Sequence, residues 1–305
     1  MRTTITGLLS FIIMLALAIP AAAQDGPGMP PADDNGGFDI AFSGVWFNTE
    51  TGVVHLTVHN NDDTDIDFRL EAGALGITAD GENDSTGFTV PAGESLALDS
   101  SVGGLVLAAV PEELPAALPF SLTALVGGPA SIEQQPITLA APVLEEAPPE
   151  TPLTFGIGWA RAALATSAGY LPINNTADED IEITAAVAPT VEAVELHETE
   201  VEDGVMSMRP IERFVVPAEG TLLLQPGGLH LMLIGLENPL EVGQTVLVTL
   251  RTADDVEIPL ALPVLEEAPL GFPADDMGMM DMDAMGDMSG DDGMDMDEMS
   301  EDDEE

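Results

Sequence analysis

The 305 residues carry 55 Asp and Glu against six Arg, with no Lys, no Cys and a formal net charge of −49. Nucleic-acid binding is excluded and adsorption to anionic membranes disfavoured, because both need cationic side chains. Without cysteine the sequence offers no disulfide, no thiolate metal site and no lipobox residue for lipid anchoring. So much like charge repels itself, and dissolved salt is expected to steady the fold by screening.

Residues 1–23 have the build of a secretory signal peptide. Arg2 lies in a short leading region, an apolar run covers 8–19, and Ala21, Ala22 and Ala23 form a small-residue cleavage site. The run is short for a membrane span and nothing later qualifies. The expected product is exported, periplasmic or extracellular, with no membrane span after signal cleavage. Residues 24–37 are Pro, Gly and Asp without apolar periodicity and read as a disordered leader.

From Phe38 onward, short alternating or β-branched runs recur between Gly, Pro, Asn and Asp, as in residues 53–58, 245–250 and 256–262. Many short strands with turn signals predict an all-β fold of the sandwich or barrel type. An internal repeat shows through them. Residues 142–148 and 263–269 share the sequence Pro-Val-Leu-Glu-Glu-Ala-Pro, and Trp46 matches Trp159. Asn60-Asn61 matches Asn174-Asn175, Val90-Pro91-Ala92 matches Val216-Pro217-Ala218, and Gly103-Gly104-Leu105 matches Gly227-Gly228-Leu229. The expected organisation is a β domain over 38–147, a stiff Pro-rich linker over 148–153, and a second copy over 154–265.

The second copy holds the residues that carry chemistry. His197 precedes Met208 by eleven positions, and His230 and Met232 follow as a His-x-Met pair. Alternation along a strand puts His230 and Met232 on one face, with Leu231 turned away. A tight turn about Glu202/Asp203 would set His197 opposite Met208, or one residue off with a bulge. Two imidazoles and two thioethers form a soft set that suits Cu(I) better than zinc, magnesium or calcium. Met206 shares the Met208 face as a spare donor. The pattern H-x10-M-x21-H-x-M resembles the copper-binding signature of the periplasmic copper chaperones of the PCu(A)C type. Flanking words agree: Gly169-Tyr170-Leu171, Glu195-Leu196-His197, Gly204-Val205-Met206, Met208-Arg209-Pro210 and Pro226-Gly227-Gly228. The resemblance covers residues 154–265. It selects Met208 over Met206 and implies a cupredoxin-like or immunoglobulin-like Greek-key β-sandwich for each copy. It also implies a metallochaperone passing Cu(I) to an extracytoplasmic acceptor, such as a cytochrome oxidase copper centre. Lacking thiols, the chain cannot reduce an acceptor disulfide, so a separate thiol reductase is an expected partner.

The first copy lacks all four donors and reads as degenerate. Its His55 and His59 lie four apart on a strand, where a solvated face is the better reading than a second metal site. Residues 266–305 form an Asp/Met-rich tail with nine of the chain's fifteen methionines, expected to be disordered and to gather soft cations loosely. No nucleophile elbow, phosphate loop or Cys-x-x-Cys is present, so no enzymatic activity is expected. Copper sequestration for tolerance, and calcium-associated surface adhesion by an acidic β-repeat protein, are the rival functions.

Overall fold

The computed structural model describes residues 39–71, 77–79, 87–99, 105–107, 113–126, 133–202, 205–269 and 272. The expected signal, the leader and the methionine-bearing part of the tail lie outside them. Every regular element among the described residues is a β-strand, as the turn-punctuated alternation predicts. The first half contains β1 (Ile40–Asn48), β2 (Val53–Asn60), β3 (Ile66–Glu71), β4 (Ile77–Ala79) and β5 (Gly87–Val90). It continues with β6 (Ser95–Leu98), β7 (Leu105–Leu107), β8 (Ala117–Val126) and β9 (Glu133–Leu144). The second half contains β10 (Leu153–Phe155), β11 (Trp159–Arg161), β12 (Thr166–Asn175), β13 (Ile181–Val187), β14 (Val191–Glu202) and β15 (Val205–Pro210). It ends with β16 (Phe214–Val216), β17 (Thr221–Leu224), β18 (Leu229–Leu236), β19 (Thr245–Thr252) and β20 (Glu257–Leu265).

Period-two burial explains why these segments are strands. In β19, Val246, Val248 and Leu250 point inward while Leu247, Thr249 and Arg251 face out. In the second half the ladders close on themselves. β12 pairs with β18, β18 with β14, β14 with β13, and β13 with β19. β19 then pairs with β20, β20 runs parallel to β11, and β11 returns to β12. Inside lie Leu171, Ile183, Phe214, Leu231, Val248 and Leu250. The first half repeats the scheme around Phe47, Phe68, Phe120, Leu122 and Ile137, with β1 parallel to β9 as β11 is to β20. Strand contacts at Phe42/Phe155 and Ala140/Ala261 join the halves.

Hydrogen bonds refine the repeat seen in the sequence. Buried Asn60 and buried Asn175 each donate from Nδ2 to a carbonyl four residues on, Thr64 and Glu179, both at 2.8 Å. Each also accepts at Oδ1 from the amide two residues on, at 3.0 Å. Asp65 and Asp180 accept from the amides of Ala92 and Ala218 at 3.0 and 2.9 Å. Thus Asn60 corresponds to Asn175, one position off the match of doublets. The β7 match also moves. Leu105 faces Val54 as Leu231 faces Gly169, so Val106 stands where Met232 stands. Ladder register decides this, and it outweighs a Gly-Gly match that merely marks a turn.

Phe272, placed in the disordered segment by composition, is only 8 % exposed and meets Trp159 edge-on with centroids 6.2 Å apart. Its amide donates to the Pro269 carbonyl at 3.1 Å. An aromatic side chain within reach of an indole face overrides a polar, Pro-rich neighbourhood.

Candidate metal centre

β14 and β18 lie side by side in antiparallel register, with His197 directly opposite His230 and Glu195 opposite Met232. Leu196, Leu231 and Leu233 point into the core, so the alternate residues share the other face of the sheet. That face carries a block of four side chains: Glu195 and His197 on one strand, Met232 and His230 on the other. The two imidazoles meet edge to face at 65°, centroids 5.6 Å apart. Both are buried, 8 % and 2 % exposed, although they lie outside the apolar core.

Each ring has one nitrogen engaged and one left over. His197 Nε2–H donates to Glu195 Oε2 at 2.8 Å, which leaves Nδ1 to carry the lone pair. His230 Nδ1–H donates to the Gly228 carbonyl at 3.1 Å, which leaves Nε2 to carry the lone pair. His197 Nδ1 and His230 Nε2 are buried, with no hydrogen-bond partner among the described residues. A buried polar atom without a partner costs about 1–3 kcal/mol, so two of them on touching rings call for a ligand. The His230 imidazole is held below its ordinary pKa, first by burial and then by the neighbouring His197, against an opposing push from the Gly228 carbonyl. It is thereby kept in the neutral form that a metal requires.

The methionines stand on the same face at different depths. Met232 is half-buried, two positions along β18 from His230 and opposite Ala168 of β12. Met208 is on β15, which pairs with β14 alone among the described strands, and it is 56 % exposed. The hairpin register departs from the sequence expectation. Glu202 pairs with Val205, so His197 faces Pro210, and Met208 faces Thr199. Asp203 and Gly204 lie outside the described residues, and the ladder on either side stands two positions from that of a turn about Glu202/Asp203. A shift of two preserves the face, so Met208 remains a diagonal neighbour of His197. The structure therefore brings His197 and His230 into contact, sets Met232 beside them, and holds Met208 at the exposed margin. The side chain of Met206 lies outside the described residues.

Sequence reasoning passed over several neighbours. Glu195 is two residues before His197, and strand alternation alone would have put it on the same face. Tyr170 lies 6.3 Å from His230 by ring centroids and 4.9 Å from Trp159, forming an aromatic wall completed by Phe272. Trp159 Nε1 and Thr199 Oγ1, on neighbouring positions of this face, are also buried without a partner among the described residues.

The first half presents a different surface. Trp46 and His55 occupy the places of Trp159 and Tyr170 and stack at 4.5 Å and 12°. His59 has both nitrogens engaged, Nε2 with Ser43 Oγ at 2.8 Å and Nδ1 with Ser95 Oγ at 2.7 Å. With both nitrogens engaged, His59 has none free for a shared ion. Among the described residues no group of three or more His, Cys, Asp and Glu gathers.

A family-level match with known proteins falls on this same half. A family model described as "Putative lipoprotein LpqE-like" matches residues 153–264. The putative lipoprotein Lxx21020 of Leifsonia xyli subsp. xyli (strain CTCB07) is 38 % identical over 108 residues, 35 % of this chain and 65 % of that protein. The chain thus spans just under two thirds of that relative's length. Among solved structures, the copper-bound PCuAC domain from PmoF2 is 20 % identical, covers 41 % of this chain and all of that one, and has a TM-score of 0.33. The solution structure of CuI-DR1885 from Deinococcus radiodurans is 32 % identical, covers 37 % of this chain and 79 % of that one, and has a TM-score of 0.30.

Proposed function

We propose that this chain is an exported copper carrier whose second β domain holds one Cu(I) between His197, His230, Met232 and Met208. One observation carries the reading: His197 Nδ1 and His230 Nε2 are buried, without a partner among the described residues and on rings in contact, with methionine beside them on the same face. Neutral imidazole and thioether together are soft enough for Cu(I) and too few in oxygen for calcium or magnesium. Cu(I) is cargo here, not a resident cofactor. The exposed Met208 sits where an acceptor's donors can enter, so transfer is ligand exchange: incoming donors bind as thioether and imidazole leave, with no change in oxidation state. An extracytoplasmic copper acceptor, such as a cytochrome oxidase copper centre, and a separate thiol reductase are the partners this reading calls for. In it, residues 38–147 are a structural or partner-facing copy without ligands.

Competitive Cu(I) titration tests the site. The native chain is expected to take up one tight equivalent. His197→Ala or Met232→Ala should weaken it by more than about 100-fold, beyond the 10–100-fold typical of outer hydrogen-bond partners. Equal affinity in both variants and the native chain would refute the assignment.

A second reading, sequestration, is favoured by the nine methionines beyond residue 275. It predicts several comparable equivalents, most of them lost when the chain is ended after Phe272. The description of the matching family and relative as lipoproteins fits an envelope location. This chain has no cysteine to bear a lipid, so attachment through a cysteine thioether has no residue here.

A further inference from the structure

We propose that Glu195 is a positioning residue for copper, acting by fixing the tautomer and orientation of His197; the proposal rests on the copper reading above. Three observations meet on this carboxylate. Its Oε2 lies 2.8 Å from His197 Nε2, and a carboxylate at this distance can only accept, so the proton sits on Nε2. The ring then has its lone pair on Nδ1, the atom left buried and without a partner among the described residues, on a ring that touches His230. The register places Glu195 opposite Met232, so it flanks the donor set on the same sheet face without belonging to it.

The two histidines solve the same problem differently. His230 is fixed by a backbone carbonyl, Gly228, at 3.1 Å, which no side-chain substitution removes. His197 depends on a side chain that is itself 46 % exposed. Without that acceptor the imidazole is free to place its proton on either nitrogen and to rotate about its bond to the strand. A ring with Nδ1 protonated would present a donor, not a lone pair, at that atom, and the two imidazoles would no longer both offer a free nitrogen to one ion. Acceptors that orient a ligating imidazole typically contribute 10–100-fold to metal affinity. Because Glu195 lies at the surface, truncating it leaves no buried cavity.

The test uses the full chain in three forms: native, Glu195→Ala and Glu195→Gln. Two readouts are taken at one fixed pH. Long-range nitrogen–proton spectra of the metal-free protein report the His197 tautomer, and competitive titration reports Cu(I) affinity. Native protein should show a single Nε2–H tautomer. Glu195→Ala should show a mixture and bind Cu(I) about 10–100-fold more weakly, while Glu195→Gln, keeping an acceptor oxygen, stays within about threefold of native. An unchanged tautomer and affinity in Glu195→Ala would overturn the proposal. A Gln variant as weak as the Ala variant would overturn it too, since charge rather than orientation would then be the cause. If the native chain failed to bind Cu(I), the copper reading would fall, while the tautomer spectra would still decide whether Glu195 sets the ring.

Discussion

Three of the chain's four histidines divide by what their second nitrogen does. His59 spends both nitrogens on serine hydroxyls, whereas His197 and His230 each keep one in reserve. No property of the sequence separates these cases, because the hydroxyls come from Ser43 and Ser95, on other strands. Burial holds the His55, His59 and His230 imidazoles below the ordinary 6.5, with Asp99 opposing for His55. The sign follows: the folded state binds fewer protons than the unfolded chain between the lowered value and 6.5. Each such histidine therefore costs stability as pH falls through that window. Asp62, raised mainly by burial, has the opposite sign in a separate window above 3.8. We expect the stability advantage of native protein over His59→Gln to shrink as pH falls from about 7.5 to 5.5, across the ordinary histidine range. Urea unfolding of both proteins at each pH measures it, and a constant difference would contradict the account.

Among the elements, β18 and β14 carry the most consequence. Alternation in Leu229-His230-Leu231-Met232 was sufficient to place His230 and Met232 together, because core leucines force the face. The hairpin was less legible, since Glu202/Asp203 and Asp203/Gly204 both read as turns and only the ladder separates them. The repeat was visible as words, but its alignment at β7 needed hydrogen-bond register. Gly235, at φ +67°, adopts a left-handed backbone on β18 three residues beyond Met232. A Cβ there would come 2.5 Å from Glu192 Cγ. Gly235→Ala is expected to cost about 1–3 kcal/mol, chiefly through the backbone, since Glu192 can swing away. A urea midpoint equal to that of native protein would show that β18 tolerates the change.

At the scale of the whole molecule, charge and anchoring dominate. With 55 acidic residues against six arginines, the ion pairs of Arg209, Arg213 and Arg251 are exposed and minor, and net repulsion remains. Melting temperature should therefore rise with sodium chloride from dilute buffer to about 1 M, where the screening length falls to roughly 3 Å. A salt-independent melt would contradict this. Phe272→Ala should cost about 1.5–3 kcal/mol if that ring clasps the domain as strongly as a fully buried side chain would, and calorimetry would show it. All-β architecture was legible from strand-length periodicity, whereas the burial of Phe272 was not, because one aromatic in a polar stretch carries no periodic signal. The central claim is that imidazole and thioether hold the same ion. X-ray absorption at the copper edge of the full chain loaded with one equivalent of Cu(I) tests it most directly. The account predicts nitrogen and sulfur in one coordination shell; a shell of sulfur alone, placing copper in the methionine tail, or of oxygen alone would contradict it.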